Sequence, residues 1–205
     1  MNILAFQIEP CECTCDHQVR IIVDDGDWLG EGSLGIDPPD FFAQPELLNG
    51  GIALVGRCSC GCIGCSDVQV KVERRNENVV WTVLFVGVSV CFDASQYDEV
   101  VNSAMTDFRW EDENRTAERL ISESFADYES EDGYRLDWVF PQSSLNKIRI
   151  CFFRDNNQKI FDFEWEGKSL QSALHGAEQF KLKIIEQEDP NVSSKSLSRL
   201  TELES

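Results

Sequence analysis

Ile52-Ala53-Leu54-Val55-Gly56-Arg57-Cys58-Ser59-Cys60-Gly61-Cys62-Ile63-Gly64-Cys65-Ser66-Asp67-Val68-Gln69-Val70-Lys71-Val72-Glu73 sets four thiols between two strand-like runs. Before the thiols, Ile52 to Val55 is a short apolar run that follows the turn signal Asn49-Gly50-Gly51. After them, Val68, Val70 and Val72 alternate with Gln69, Lys71 and Glu73, the period of a half-exposed strand. Two such strands predict a sheet that holds the cysteine loop on a rigid support.

A thiolate is a soft ligand that suits zinc, and a structural zinc takes four cysteine or histidine donors in a tetrahedron. Cys62 and Cys65 have the two-residue gap common in zinc sites, whereas the gaps from Cys58 to Cys60 and from Cys60 to Cys62 are one residue each. Side chains two apart in an extended chain share a face, so these sulfurs converge on one ion only if the backbone also turns. Gly61 and Gly64 supply residues able to make those turns. A second cluster, Cys11-Glu12-Cys13-Thr14-Cys15-Asp16-His17, adds three thiols and an imidazole. The candidate metal ligands are thus Cys58, Cys60, Cys62, Cys65, Cys11, Cys13, Cys15 and His17. They would serve two zinc ions, one ion shared by both loops, or a binuclear thiolate cluster, and spacing leaves these open.

The pattern Gly-x-Cys-x-Cys-Gly-x-x-Gly-Cys, from Gly56 to Cys65, followed by alternating valines and Val80-Trp81, resembles one found in a loosely defined set of bacterial proteins. The similarity continues through Tyr97 to Leu120. That set has no known activity, so the resemblance implies none. It supports Cys58, Cys60 and Cys65 more than Cys62, which stands at a variable position of the motif.

The 205 residues, 42% hydrophobic, suffice for one sizeable domain or two small ones. A net charge of −19 repels phosphate backbones and anionic membranes and favours a basic protein partner, so generic nucleic-acid binding is set aside. No secretory signal or membrane-spanning run is legible, which predicts a cytoplasmic protein. There thiols stay reduced, and nine is an odd count, so ligands or buried apolar groups are expected in place of a disulfide framework.

Ile3 to Ile8 and Val19 to Val23 read as strands, the first ended by Pro10, and Asp24-Asp25-Gly26-Asp27 as a turn before a loose segment reaching Gln44. Within it, Gly30-Glu31-Gly32-Ser33-Leu34-Gly35 has the spacing of a dinucleotide-binding turn, but Pro38-Pro39 leaves no continuing helix to meet a pyrophosphate. Asp24, Asp25, Asp27 and Glu31 lack the spacing of a calcium loop. Val79 to Val90 reads as one long strand with Trp81 and Phe85 on one side.

A helix capped by Asp93 or Ser95 carries Tyr97, Val100, Val101, Ala104, Met105 and Phe108 at helical spacing. A second runs from about Asn114 to Asp127. Asp107 to Asp137 holds eleven acidic residues against four basic, the composition of a solvated face or of a docking face for a basic partner. Tyr134 to Phe140 is a strand stopped by Pro141, and Lys147 to Phe153 with Lys159 to Trp165 form a hairpin. Phe161, Phe163 and Trp165 share its core face. Ser169 caps a helix with Leu170, Ala173, Leu174, Ala177 and Phe180 inward, and Leu182 to Ile185 reads as a closing strand. Cys91 and Cys151 lie in apolar runs as core thiols.

The fold expected is α+β, with antiparallel strands flanking two central helices and a Cys-rich knuckle between two strands. One domain over 1–186, or two packed subdomains, 1–92 and 93–186, precedes a polar tail at 187–205. The favoured function is a non-enzymatic, zinc-stabilised binding or accessory protein, immunity-like if its partner is basic. A thiol redox sensor working through Cys62 and Cys65 is the second reading. A metalloenzyme using His17, Asp16 and Glu12 is the third, in a chain without a serine-nucleophile elbow or phosphate loop. Spacing leaves oligomeric state and metal identity open.

Overall fold

The alternating valines do form a strand, and it lies at the centre of the larger sheet. The computed structural model describes residues 1–11, 16–62, 64–165 and 169–188, and over these the chain is α+β with antiparallel sheets. It divides into two units, Met1–Trp110 and Glu111–Ser205.

In the first unit, β1 (Leu4–Cys11), β2 (Asp16–Val23) and β3 (Gly26–Asp27) make a three-stranded sheet. A five-stranded sheet follows, ordered β4 (Ser33–Leu34), β5 (Gly51–Cys58), β6 (Val68–Arg75), β7 (Asn78–Val83), β8 (Ser89–Asp93). The helices are α1 (Pro38–Phe42), α2 (Glu46–Asn49) and α3 (Ala94–Met105). Asp93 caps α3 by accepting from the Gln96 N–H at 3.0 Å, satisfying one of the orphan donors of its first turn. Helical spacing then sends Tyr97 and Val101 into a core with Val70, Val72, Val79, Trp81 and Phe92, all fully or almost fully buried. Each such side chain contributes about 1.5–3 kcal/mol by leaving water. The Trp81 indole donates to the Tyr97 hydroxyl at 3.1 Å, and that hydroxyl donates to the Leu47 carbonyl at 2.8 Å, so neither polar tip is stranded.

In the second unit, α4 (Glu113–Ser124) precedes a sheet ordered β11 (Asn157–Glu164), β10 (Lys147–Arg154), β9 (Arg135–Gln142), and α5 (Leu170–Glu188) closes it. Ala117, Ile121, Phe125, Ile148, Ile150, Phe152 and Trp165 form its core.

β5 and β6 are antiparallel neighbours, and their register slips between Leu54 and Gly56, leaving Val55 as an extra residue. That bulge changes which face the last residues of β5 present.

Several expectations fail for physical reasons. Pro10 and Pro141 do not stop their strands: Pro10 pairs opposite His17 and Pro141 opposite Ile148. Both belong to edge strands, where a missing N–H costs no ladder bond. Pro38-Pro39 begins α1 instead of forbidding a helix, since the first helical turn needs no N–H there; the helix is only five residues long. Val79 to Val90 is not one strand. It folds back between β7 and β8, with Phe85 at φ +66° and fully exposed. Leu182 to Ile185 continues α5 and forms no strand. No helix among the described residues is long and apolar enough to cross a membrane.

Candidate metal centre

β5 delivers Cys58 at its last residue, and the chain returns as β6 at Val68, so the cysteine loop is a connection between hydrogen-bonded neighbours. Two turns shape it. The Gly61 N–H donates to the Cys58 carbonyl at 2.8 Å, with Gly61 at φ +82°. The Gly64 N–H donates to the Asp67 carboxylate at 2.8 Å, with Gly64 at φ +86°. Left-handed backbone at both points is what allows closely spaced cysteines to meet.

The sulfurs of Cys58, Cys60 and Cys65 all lie within 4.8 Å of one another, a group that can hold a metal ion. Cys58 is half-buried and the other two are exposed. The group does not include Cys62, which is exposed and contributes its backbone N–H to the Cys60 sulfur. That N–H, then the Cys58 thiol, draws Cys60 down to about 7. The reverse holds at Cys65, where hydrogen bonding to Cys58 and Cys60 pushes the thiol up to about 11. Cys62 is raised too, first by its bond to Cys60. Without an ion the neighbouring thiols thus favour ionisation of Cys60 while keeping their own protons, which a cation would replace.

Of the upstream candidates, Cys11 is buried at the end of β1. His17 lies in β2 with its ring 5.0 Å from the Trp110 ring and no hydrogen-bond partner at Nδ1. Neither belongs to the thiol group of the knuckle. Cys13 and Cys15 lie outside the described residues. Cys151 is buried in β10, and burial followed by the nearby Asp137 charge raises its thiol; Cys91 is half-buried in β8.

The role of Asp67, and the partners of Arg57, escaped the reading from sequence. Asp67 fixes the second turn, and a carboxylate three residues after a glycine was the available sign of it. Arg57, the one cation adjacent to the thiols in sequence, is buried and bonded to Asp16 and to the Gly35 carbonyl. Compared with protein-family models, curated proteins and solved structures, the chain matches none.

Proposed function

We propose that the chain is a non-enzymatic, zinc-stabilised binding or accessory protein, with Cys58, Cys60 and Cys65 as ligands and Cys62 as the fourth donor. The observation that carries this reading is the mutual approach of three sulfurs within 4.8 Å on a loop between paired strands. Zinc–sulfur bonds of about 2.3 Å in a tetrahedron put sulfurs about 3.8 Å apart, which is compatible with that limit. The loop from Ser59 to Asp67 is rich in glycine and cysteine and has little apolar material to pack, so an ion would do the organising that a core does elsewhere. The surplus of negative charge supports a basic partner.

Protein isolated anaerobically without chelators should contain about one zinc per chain. Cys60→Ser and Cys65→Ser should each lose it, and Cys151→Ser should keep it. Metal-free protein whose loop is indifferent to added zinc would end the proposal.

The drop of Cys60 to about 7 supports a second reading, thiol redox exchange, because thiolate is the reactive form. Arg57 is turned to Asp16, which weakens it as an activating charge. Thiols that react only after chelation favour zinc; a reversible disulfide in chelated and unchelated protein alike favours exchange.

A further inference from the structure

We propose that a cavity in the second unit, lined by Tyr128, Tyr134, Phe152, Phe161 and Lys159, is a binding site for an alkylammonium group that takes the place of the Lys159 ammonium over the Tyr134 ring. The cavity has a volume of about 180 Å³. Its walls meet at steep angles: Tyr128 and Phe152 are edge-on at 5.6 Å, and Phe152 and Phe161 at 6.1 Å. These rings give the cavity an apolar aromatic lining suited to alkyl groups, and the face of Tyr134 is the one that meets a cation.

Lys159 in the lining shows the chemistry. The Lys159 ammonium sits 4.1 Å from the centre of the Tyr134 ring, and the Asp132 carboxylate at the rim is 3.6 Å from it. Ring and carboxylate together are selective for a cation with an apolar skirt, because a bare anion is repelled and a neutral group gains nothing from the carboxylate. Lys159 is held loosely enough to leave. Its side chain is 42% exposed and that of Asp132 is 71% exposed, so their pairing is screened by water.

The site also lies in the acidic part of the chain, with Asp127, Glu129, Glu131 and Asp137 near it in sequence, so an incoming cation would be drawn toward it. This inference is independent of the metal centre, which belongs to the other unit. The ammonium would come either from a free quaternary ammonium compound or from a methylated lysine side chain.

Full-length protein and its Lys159→Ala variant are titrated with choline, with a short trimethyl-lysine peptide, and with 3,3-dimethylbutanol as choline's neutral isostere. Binding is followed by amide chemical shifts of Ser130, Gly133 and Tyr134. The variant should bind one of the cations at least about fivefold more tightly than the wild type, with the neutral isostere at least about tenfold weaker. Which cation binds better identifies its source. Tyr134→Leu in the Lys159→Ala background should abolish the preference for charge, and the amide spectrum shows that it remains folded. Absence of saturable shifts with both cations, equal affinity of wild type and variant, or equal affinity for the neutral isostere would each overturn the proposal.

Discussion

Arg57 donates from one terminal nitrogen to both carboxylate oxygens of Asp16, at 3.3 and 3.1 Å, and from Nε to the Gly35 carbonyl at 3.0 Å. The guanidinium side chain is 9% exposed, so this is a largely desolvated pair joining β2 to the end of β5. Removing the carboxylate leaves a buried charge short of compensation. Asp16→Ala should cost about 3 kcal/mol in urea unfolding, and Arg57→Met in the same chain should recover most of it. A loss below about 0.5 kcal/mol would place the pair with ordinary surface ion pairs.

Loading the knuckle with zinc at neutral pH must expel protons, because Cys65 is held up to about 11 and Cys62 is also raised. Apparent affinity should therefore fall as pH is lowered through 7. Titration calorimetry in two buffers of different ionisation enthalpy checks this directly. Identical heats would mean that no protons are released.

Phe85 holds φ +66° with its ring in water, so it carries a left-handed backbone without burial in return. Asparagine adopts that region more readily than an aromatic residue. Phe85→Asn should stabilise the first unit by about 1 kcal/mol in thermal or urea melts. A destabilised variant would show that the ring packs on something in solution.

Tyr97→Phe keeps the ring but deletes the hydroxyl between the Trp81 indole and the Leu47 carbonyl. Both partners are then left buried without their bond, at a cost of about 1–3 kcal/mol. A neutral result would show that water reaches the gap.

Asp162 is held down to about 2, first by its hydrogen bonds from Arg149 and then by Lys147. A lowered carboxyl adds stability above its unfolded value near 4 and loses it as pH falls toward 2. Arg149→Gln should move the Asp162 titration, followed by carboxyl carbon shifts, back up toward the ordinary range. An unmoved midpoint would assign the shift to other groups.

Where a strand has one wet face, its pattern was legible. Val68, Val70 and Val72 alternate because one side of β6 meets the core and the other meets solvent. Asp93 was legible as a cap because a short acceptor just before a helical stripe has a local purpose. Val79 to Val90 misled because an unbroken apolar run carries no period, and only Gly87 marked the reversal. Pro10 and Pro141 misled because edge position is a property of the whole sheet. The knuckle was legible as a cluster of thiols with two glycines to turn it, and the motif favoured Cys58, Cys60 and Cys65 over Cys62, but the geometry that brings those three together depends on left-handed turns that spacing alone does not encode.

The surplus residue at Val55 gives β5 a handedness of consequence. Gly56 pairs with Val68 and so takes the Val70 side of the sheet, where a methyl group would crowd Leu29 and Val68 at 3.0 and 3.2 Å. Arg57 is thereby aimed away from that side and Cys58 toward it. Were Val55 paired with Val68 in an unbroken register, the two would exchange, sending a guanidinium where sulfur belongs and parting it from its carboxylate. One slipped rung of the ladder, as much as the composition of the segment, decides what the loop can hold.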